Sequence, residues 1–517
     1  MYTSEQIDKA FHYFSNFKHE EFRQHQAETI KTIANSKLSV FALMASAGSG
    51  KSIIGATLVK LFKDGIYVCS SKFLQEQIQQ DFLEFELLFG RANYKCLEKP
   101  KLSLTCADCI YKEPASHCKQ YDKCMYRVQK NRVANHHLRC LNYPYFLSVN
   151  NYTSDGLFVN KPIVICDEAD KLENELLNFI NIVVTEAQVK KLGLNMPKYK
   201  TACKKGIPEW KDWAYDSLRK VQRKLRRLPE TATQKEYEFL GGFRFKLNNF
   251  LKLVDETWLL EYKQNTKYGQ RWSFMPTWIT PEMTDKFFRN HCGKIVLMSA
   301  KLPPLEALSK KLGIPANEID YLEVPSTWDK KNRSIKFIPT VAINVKTEQE
   351  ELDTMKPVIA KIMKKHEHDK GLIHTSSYRL ARFVMSMNDD RLVTHTPSDK
   401  IEAIERFKRS DKPLVMVSPS MERGVSLDDD WCRFIIILKA LFLDLSNKQI
   451  STRMHSSEDG RLWYDAECIQ NIEQACGRGV RHKDDWCHIY LLDKNIERLY
   501  DKQIKSFSRY FKDGIQW

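Results

Sequence analysis

Apolar residues along this chain follow two rhythms. Near the start, Ile7, Ala10, Phe11 and Phe14 recur at steps of three and four, as do Ala27, Ile30 and Ile33, so residues 1–37 are expected to be helical. Beyond them, short and mainly apolar runs take over at residues 38–44, 65–71, 163–166 and 294–299, the second ending in two serines and the first two followed by helix-like stretches at 53–62 and 73–85. Such runs describe strands buried on both faces, as in a parallel sheet between helix layers. From about residue 323 the rhythm repeats, with strands expected at 371–375, 414–418, 434–438 and 488–492. The pattern predicts an α/β fold with two such blocks. Residues 172–285 interrupt it with helix-like, strongly basic sequence.

Composition changes this picture in three ways. A chain of 517 residues exceeds what one core serves, so several domains are expected. No apolar run reaches membrane-spanning length and residues 1–9 lack an apolar signal core, which points to a cytoplasmic protein without membrane partners. A net charge of +16 favours a polyanionic partner. The fourteen cysteines, with no export signal beside them, read as thiols or metal ligands and not as a disulfide framework.

Chemistry enters where the first strand run ends. Residues 45–52 read Ala-Ser-Ala-Gly-Ser-Gly-Lys-Ser, placed between a strand and a helix. In such a loop the backbone of Ala47, Gly48, Ser49 and Gly50 closes around phosphate oxygens, helped by the positive end of the helix. Lys51 would neutralise the β- and γ-phosphates of ATP, and the Ser52 hydroxyl would ligate Mg²⁺. Ala45 stands where the usual first glycine would be. The run at 163–166 ends in Asp167-Glu168-Ala169-Asp170. A buried strand delivering acids to a crevice suits Asp167 to hold Mg²⁺ and Glu168 to deprotonate the attacking water. A solvated acidic turn is the bland alternative, and the phosphate loop outweighs it. Arg478 and Arg481, three apart near a helix, could reach another domain's phosphate site as arginine fingers do. Gln26, just ahead of the loop, could read an adenine edge. Ser70 and Ser71 sit where a nucleic-acid backbone could run.

Six cysteines fall within residues 91–140: Cys96, Cys106, Cys109, Cys118, Cys124 and Cys140, among many lysines and tyrosines. Thiolate-only ligation suits zinc or an iron–sulfur cluster, and spacing alone does not separate the two. Basic residues interleaved with aromatics also fit a platform for single-stranded nucleic acid. Residues 198–227 repeat that mixture, with Arg219, Lys220, Arg223, Lys224, Arg226 and Arg227 beside Trp210, Trp213 and Tyr215.

Taken in order, these motifs resemble superfamily 2 helicases, and within them the XPD/DinG family of iron–sulfur DNA helicases. Arg23 and Gln26 look like its adenine-sensing motif, residues 45–52 motif I, 70–82 motif Ia, 167–170 motif II and 299–300 motif III. Residues 371–377 look like motif IV, 421–427 motif V and 474–481 motif VI, the last adding Gln474 to Arg478 and Arg481. Three positions depart from the family: Asp170 replaces His, Lys301 replaces Thr, and Ser426 replaces an acid. The resemblance implies two RecA-like domains clamping ATP and Mg²⁺. The first is expected in residues 1–93, 141–171 and 286–322, and the second in 323–517. It also implies an inserted Fe–S domain at 94–140 and a short, helical Arch-like domain at 172–285. Cys96, Cys109, Cys118 and Cys124 are the expected ligands of a 4Fe–4S cluster, with Cys106 in reserve for Cys109. The implied activity is ATP-driven unwinding of forked or overhang DNA by a monomer moving 5′→3′ on single strands. The competing readings are a metal-bearing binding or scaffolding protein with an idle motor, and a translocase that separates no strands.

Overall fold

The computed structural model describes the chain apart from residues 16–20, 47, 99–103, 110–117, 153–156, 230, 267–268, 420–426, 428, 478, 481–483 and 517, and the side chains of 265 and 266. The apolar runs do form strands buried on both faces. In β1 (Val40–Ala45), Val40, Ala42 and Met44 join one core while Phe41, Leu43 and Ala45 join another. The same division by alternate residues holds in β2 (Gly65–Cys69) and β5 (Lys161–Asp167). Successive side chains on a strand point to opposite faces, so a sheet filled on both sides needs apolar residues at every position. On one side stand Ile7 and Phe11 of the helix Ser4–Phe11, Ile30 and Ile33 of Gln26–Asn35, and Ile53 and Ala56 of Lys51–Leu61. The other side holds Phe146 and Leu147 of the helix Tyr143–Tyr152, and Leu172 and Leu176 of Leu172–Ile180.

This first sheet also takes in β3 (Glu86–Leu87), β4 (Leu138–Asn142), β9 (Cys292–Ser299) and β10 (Ile319–Val324). Its order is β10-β1-β9-β5-β2-β4-β3, with every neighbouring pair parallel. The acidic strand β5 therefore lies at the sheet centre, and the phosphate-loop strand β1, inside the edge strand β10, is separated from it by β9. A second parallel sheet is built from β11 (Ile335–Val341), β12 (Gly371–His374), β13 (Leu392–Thr394), β14 (Val415–Ser418), β15 (Phe434–Ile437) and β16 (His488–Asp493). Its order is β11-β16-β15-β12-β14-β13.

The strands that apolar runs did not announce have physical reasons to be inconspicuous. β4 carries Arg139, whose guanidinium is buried but pairs with Asp64 and donates to the Val133 carbonyl at 2.9 Å. β11 is an edge strand containing Lys336 and Pro339, as edges tolerate.

The basic stretch holds more than helices. β6 (Ile182–Thr185), β7 (Trp258–Thr266) and β8 (Gly269–Pro276) form an antiparallel sheet in the order β6-β8-β7. Helices Ile207–Arg226 and Gln234–Leu253 pack with it. Here the expected grouping of aromatic and basic residues is corrected. Trp210 and Trp213 are 6% and 5% exposed, and the Trp213 ring stacks on Phe274 at 4.6 Å. Only Tyr215 of the three rings is exposed, at 51%, on the side where Arg219, Arg223 and Arg226 also face solvent. The helix is amphipathic, so residues adjacent in sequence part to opposite faces. Its apolar face shares a continuous core with one side of the first sheet.

The base of the second sheet holds an imidazole pair, His366 buried and His488 half-buried. The His366 ring stacks on Phe434 at 4.6 Å, its Nδ1 lies 2.8 Å from Asp369 and its Nε2 2.9 Å from the Tyr490 hydroxyl. His488 sits against it, its pKa pushed down to about 4 by burial first and then by neighbouring His366. The unfolded chain takes up that proton near pH 6.5. Stability linked to His488 is thus complete above about pH 6.5 and lost as pH falls toward about 4. His488→Gln should flatten the acid limb of a urea-midpoint profile; an unchanged limb would assign that loss to other groups.

A nucleotide-sized cleft between two sheets as candidate active site

The loop after β1 owes its shape to two glycines. Gly48 and Gly50 have φ of 73° and 81°, a region costly for other residues. At Gly50 a Cβ would lie 2.2 Å from the Gln26 amide nitrogen. Gln26 itself is buried, donating to the Ser49 carbonyl at 3.0 Å and accepting from the Arg23 N–H at 2.9 Å. The Arg23 guanidinium donates to the Gly48 carbonyl at 2.7 Å. Arg23 and Gln26 thus brace the loop as well as bordering the cleft. Lys51 folds over the same loop, its Nζ 2.8 Å from the Ala45 carbonyl and 3.0 Å from that of Ser46. Ser52 lines the cleft; Ala47 lies outside the described residues.

Asp167 ends β5 facing this loop. Tyr67 donates to its carboxylate at 3.0 Å and the Glu168 N–H at 2.9 Å. Burial raises its pKa, against the opposing pull of Lys51. Glu168 adopts φ 48°, unusual for a residue with a side chain, and its carboxylate meets Ser70 and Lys171. Asp170 accepts from the Ser299 hydroxyl at 2.7 Å and from the Gln474 amide at 2.9 Å. Gln474 comes from the helix Glu458–Cys476 beneath the second sheet, so the cleft, about 600 Å³, is walled by both sheets. Gly477 continues that wall, while Arg478, Arg481 and residues 421–426 lie outside the described residues.

The cysteines gather elsewhere. Cys96, Cys106, Cys109, Cys118 and Cys124 line one small pocket with Arg91 and Arg127. Cys106 and Cys124 have their sulfurs 3.7 Å apart. The contact holds the Cys124 pKa down at about 5 against the opposing effect of burial, while Cys106 is pushed up. Cys140 stands apart in β4, with its sulfur 3.7 Å from Cys69. Among the described residues no three His, Cys, Asp or Glu side chains are closely enough gathered to hold a metal ion. The donor chemistry nevertheless fits a thiolate-held group: several thiols around one pocket, one of them readily ionised. The inserted helix Gln234–Leu253 closes on this module, the Gln234 N–H donating to the Cys109 carbonyl and Glu238 pairing with Arg91 at 2.8 Å.

Comparison with known proteins bears on the whole arrangement. Residues 359–513 match the helicase C-terminal domain family. The chain is 25% identical over 224 residues to the ATP-dependent DNA helicase XPD of Sulfolobus acidocaldarius, covering 40% of each protein. It is 26% identical over 117 residues to the ATP-dependent DNA helicase CHL1 of Saccharomyces cerevisiae, covering 20% of this chain and 13% of that one. A solved XPD helicase superposes with a TM-score of 0.60 at 16% identity, covering 94% of this chain and 98% of the other. S. tokodaii Xpd4 gives 0.56 at 15% identity, covering 96% and 99%. The chain is thus similar to XPD and CHL1 helicases, and residues 359–513 carry the match to the helicase C-terminal domain. It spans 40% of the length of the XPD relative and 13% of the CHL1 relative in these alignments. The structural likeness is one of fold.

Two of the departures from the XPD/DinG pattern, at Asp170 and Lys301, find their partners in the structure. Asp170 accepts two hydrogen bonds at once, which the one acceptor nitrogen of a neutral histidine does not do. Lys301 pairs with Glu473 at 3.1 Å and donates to the Ser506 carbonyl at 2.8 Å. Glu473 also accepts from the Ser508 N–H at 2.9 Å. Lys301 and Asp170 thus hold consecutive residues, Glu473 and Gln474, of one helix.

A further set of charges escaped sequence reasoning altogether. Arg453 pairs with Glu173 at 2.5 Å, and Lys311 pairs with Glu467 at 2.5 Å and lies 3.8 Å from Glu173. All but Glu467 are 3% exposed or less at the side chain, and Glu467 is 11%. The Arg453 guanidinium lies between the rings of Trp278 and Trp463, at 4.2 and 4.4 Å, and donates to the Thr277 carbonyl at 2.7 Å. Neighbouring Gln449 donates to the Pro276 carbonyl at 2.6 Å. Each of the four charges lies in a separate helix, so nothing in the sequence joins them.

Lys301 and Glu473 are 4% and 7% exposed at the side chain. Glu473→Gln leaves the ammonium buried without its counter-charge, which should cost about 3–5 kcal/mol. Replacing both by Met should recover most of that. Urea denaturation of the three proteins checks this, and equal stability of Glu473→Gln and the parent would make the pair ornamental.

Proposed function

We propose that this chain is an ATP-dependent DNA helicase that moves along single-stranded DNA, 5′→3′, and opens forked or overhang duplexes. The observation that carries the proposal is the cleft itself. It takes Lys51, Asp167 and Glu168 from one sheet and Gln474 from beside the other, so a nucleotide there touches both. The relatives named above as ATP-dependent DNA helicases support it.

On this reading residues 1–93, 141–171 and 286–322 form the first motor domain and 323–517 the second. The backbone of residues 47–50 and the Lys51 ammonium hold the triphosphate, with Arg23 and Gln26 at its base. Ser52 and Asp167 hold Mg²⁺, and Glu168 takes a proton from the attacking water. Gln474, Arg478 and Arg481 answer from the second domain, the arginines balancing charge on the transferred phosphoryl group. Closing and reopening the cleft moves the two domains relative to a bound strand. The net charge of +16 and the exposed arginines of the insertion at 172–285 favour a phosphate backbone as that partner. The paired Asp170 and Lys301 weigh against an idle motor, since both serve contacts across the cleft.

In the module at 94–140, Cys96, Cys109, Cys118 and Cys124 would hold a 4Fe–4S cluster, Cys106 being the alternative to Cys109. Such a cluster supplies a covalent cross-link to a segment too small and too rich in lysine to order itself by burial.

ATP turnover by purified protein should rise with single-stranded DNA, and 5′-overhang duplexes should be opened in preference to 3′-overhang ones. Lys51→Ala should abolish turnover and leave DNA binding largely intact. Parental turnover in that variant would remove the loop from the mechanism.

Protein prepared without oxygen should carry iron, and Cys118→Ser or Cys124→Ser should lose it and open residues 94–140 to protease. Comparing iron in Cys106→Ser and Cys109→Ser decides the remaining ligand. Stoichiometric zinc without iron would overturn the cluster.

A further inference from the structure

Glu168 is the acid that takes the water proton in the reading just given, yet one of its carboxylate oxygens is already engaged. Oε2 accepts from the Ser70 hydroxyl and from the Lys171 ammonium, and Lys171 also donates to Ser70 at 3.1 Å. The three groups close a triangle on a single oxygen. A carboxylate oxygen that serves an ammonium and a hydroxyl has little left to offer a water.

The three groups come from different places. Ser70 follows β2 directly, and β2 pairs with β5, whose end carries Glu168. Ser71 caps the next helix, Lys72–Asp81, and Lys72 is exposed beside it. Lys171 lies three residues beyond Glu168 on the far side of the turn and borders the nucleotide cleft. The Lys171 and Glu168 side chains are 28% and 38% exposed, so an anion arriving from solvent can reach the pair. The triangle therefore stands where the cleft meets the outer end of β2.

We infer that Lys171 and Ser70 form a restraint on Glu168, and that a nucleic-acid phosphate relieves it. A phosphate arriving at Ser70, Ser71 and Lys72 competes for the Lys171 ammonium and the Ser70 hydroxyl, both of which it binds as well as a carboxylate does. Glu168 is then left to orient and deprotonate water. Lys171 is a positioning residue in this account, acting only through Glu168. The inference rests on the assignment of Glu168 as the base of an ATP-hydrolysing motor, and it ties turnover to the presence of a strand.

The test uses the 517-residue chain and a poly-dT oligonucleotide. Lys171→Met should raise turnover without DNA by about tenfold, the scale on which a charge-assisted contact shifts an equilibrium. Stimulation by the oligonucleotide should fall toward unity, with the KM for ATP unchanged. Ser70→Ala should move both quantities the same way by less, and Lys171→Arg should restore parental behaviour. Loss of a generic structural contact would lower turnover with and without DNA alike, so a retained or lowered basal rate with an unchanged stimulation ratio overturns the restraint. If Lys171→Met melts earlier than the parent, the comparison is read from Ser70→Ala and Lys171→Arg. A parent that turns over no ATP defeats the motor reading itself. A parent stimulated by DNA whose Lys171→Met and Ser70→Ala variants keep that stimulation defeats only the restraint.

Discussion

Arg453, Glu173, Lys311 and Glu467 place full charges in a dry seam where the two parallel sheets' halves of the molecule meet. Burying such groups is costly, and their mutual attraction repays it only in one geometry. Burial lowers the Lys311 pKa, but Glu467 and Glu173 outweigh it and leave the pKa raised. A greasy interface would let the halves slide, whereas this one has a single register. Glu173 lies three residues after Asp170, and Glu467 lies seven before Gln474 on one helix. The register set by the buried charges is thus the register that brings Gln474 to Asp170.

The same seam ties in the inserted segment. Glu173 stands near its entry, while Thr277 and Trp278 stand near its exit, and Arg453 touches all three. The insertion also shares its core with one face of the first sheet through Trp213, Phe250 and Phe274. A movement of the second sheet's helices therefore acts on the insertion through contacts that are already made. Its outer helix in turn rests against the cysteine-lined module through Arg91 and Glu238.

Around the cleft, polar groups are assembled from strand ends, where parallel sheets present ligand sites. The positive φ of Gly48, Gly50 and Glu168 marks the places where the backbone turns sharply to do so. The cysteine module works on another principle. Around its pocket, Cys106 and Tyr126 are buried, and the Cys106 and Cys124 sulfurs meet at the start of the helix Met125–Asn135.

What the sequence determined by itself is local. The phosphate loop was legible because Gly48, Gly50 and Lys51 act through backbone conformation and bonds spanning a few residues, as when Lys51 reaches the Ala45 carbonyl. The interior strands were legible because a strand covered on both faces must be apolar at successive positions, and β1 and β5 are. Tertiary structure alone decided which polar groups meet. Asp170 and Gln474 are 304 residues apart, and nothing in the pattern around either names the other. Lys301 read as an oddity until Glu473 stood opposite it. Trp210 and Trp213 read as surface rings because basic neighbours surround them in sequence, but helical rotation turned them inward onto Phe274. Propensity and periodicity act within a turn or a strand, whereas the pairing of buried charges depends on how whole elements pack.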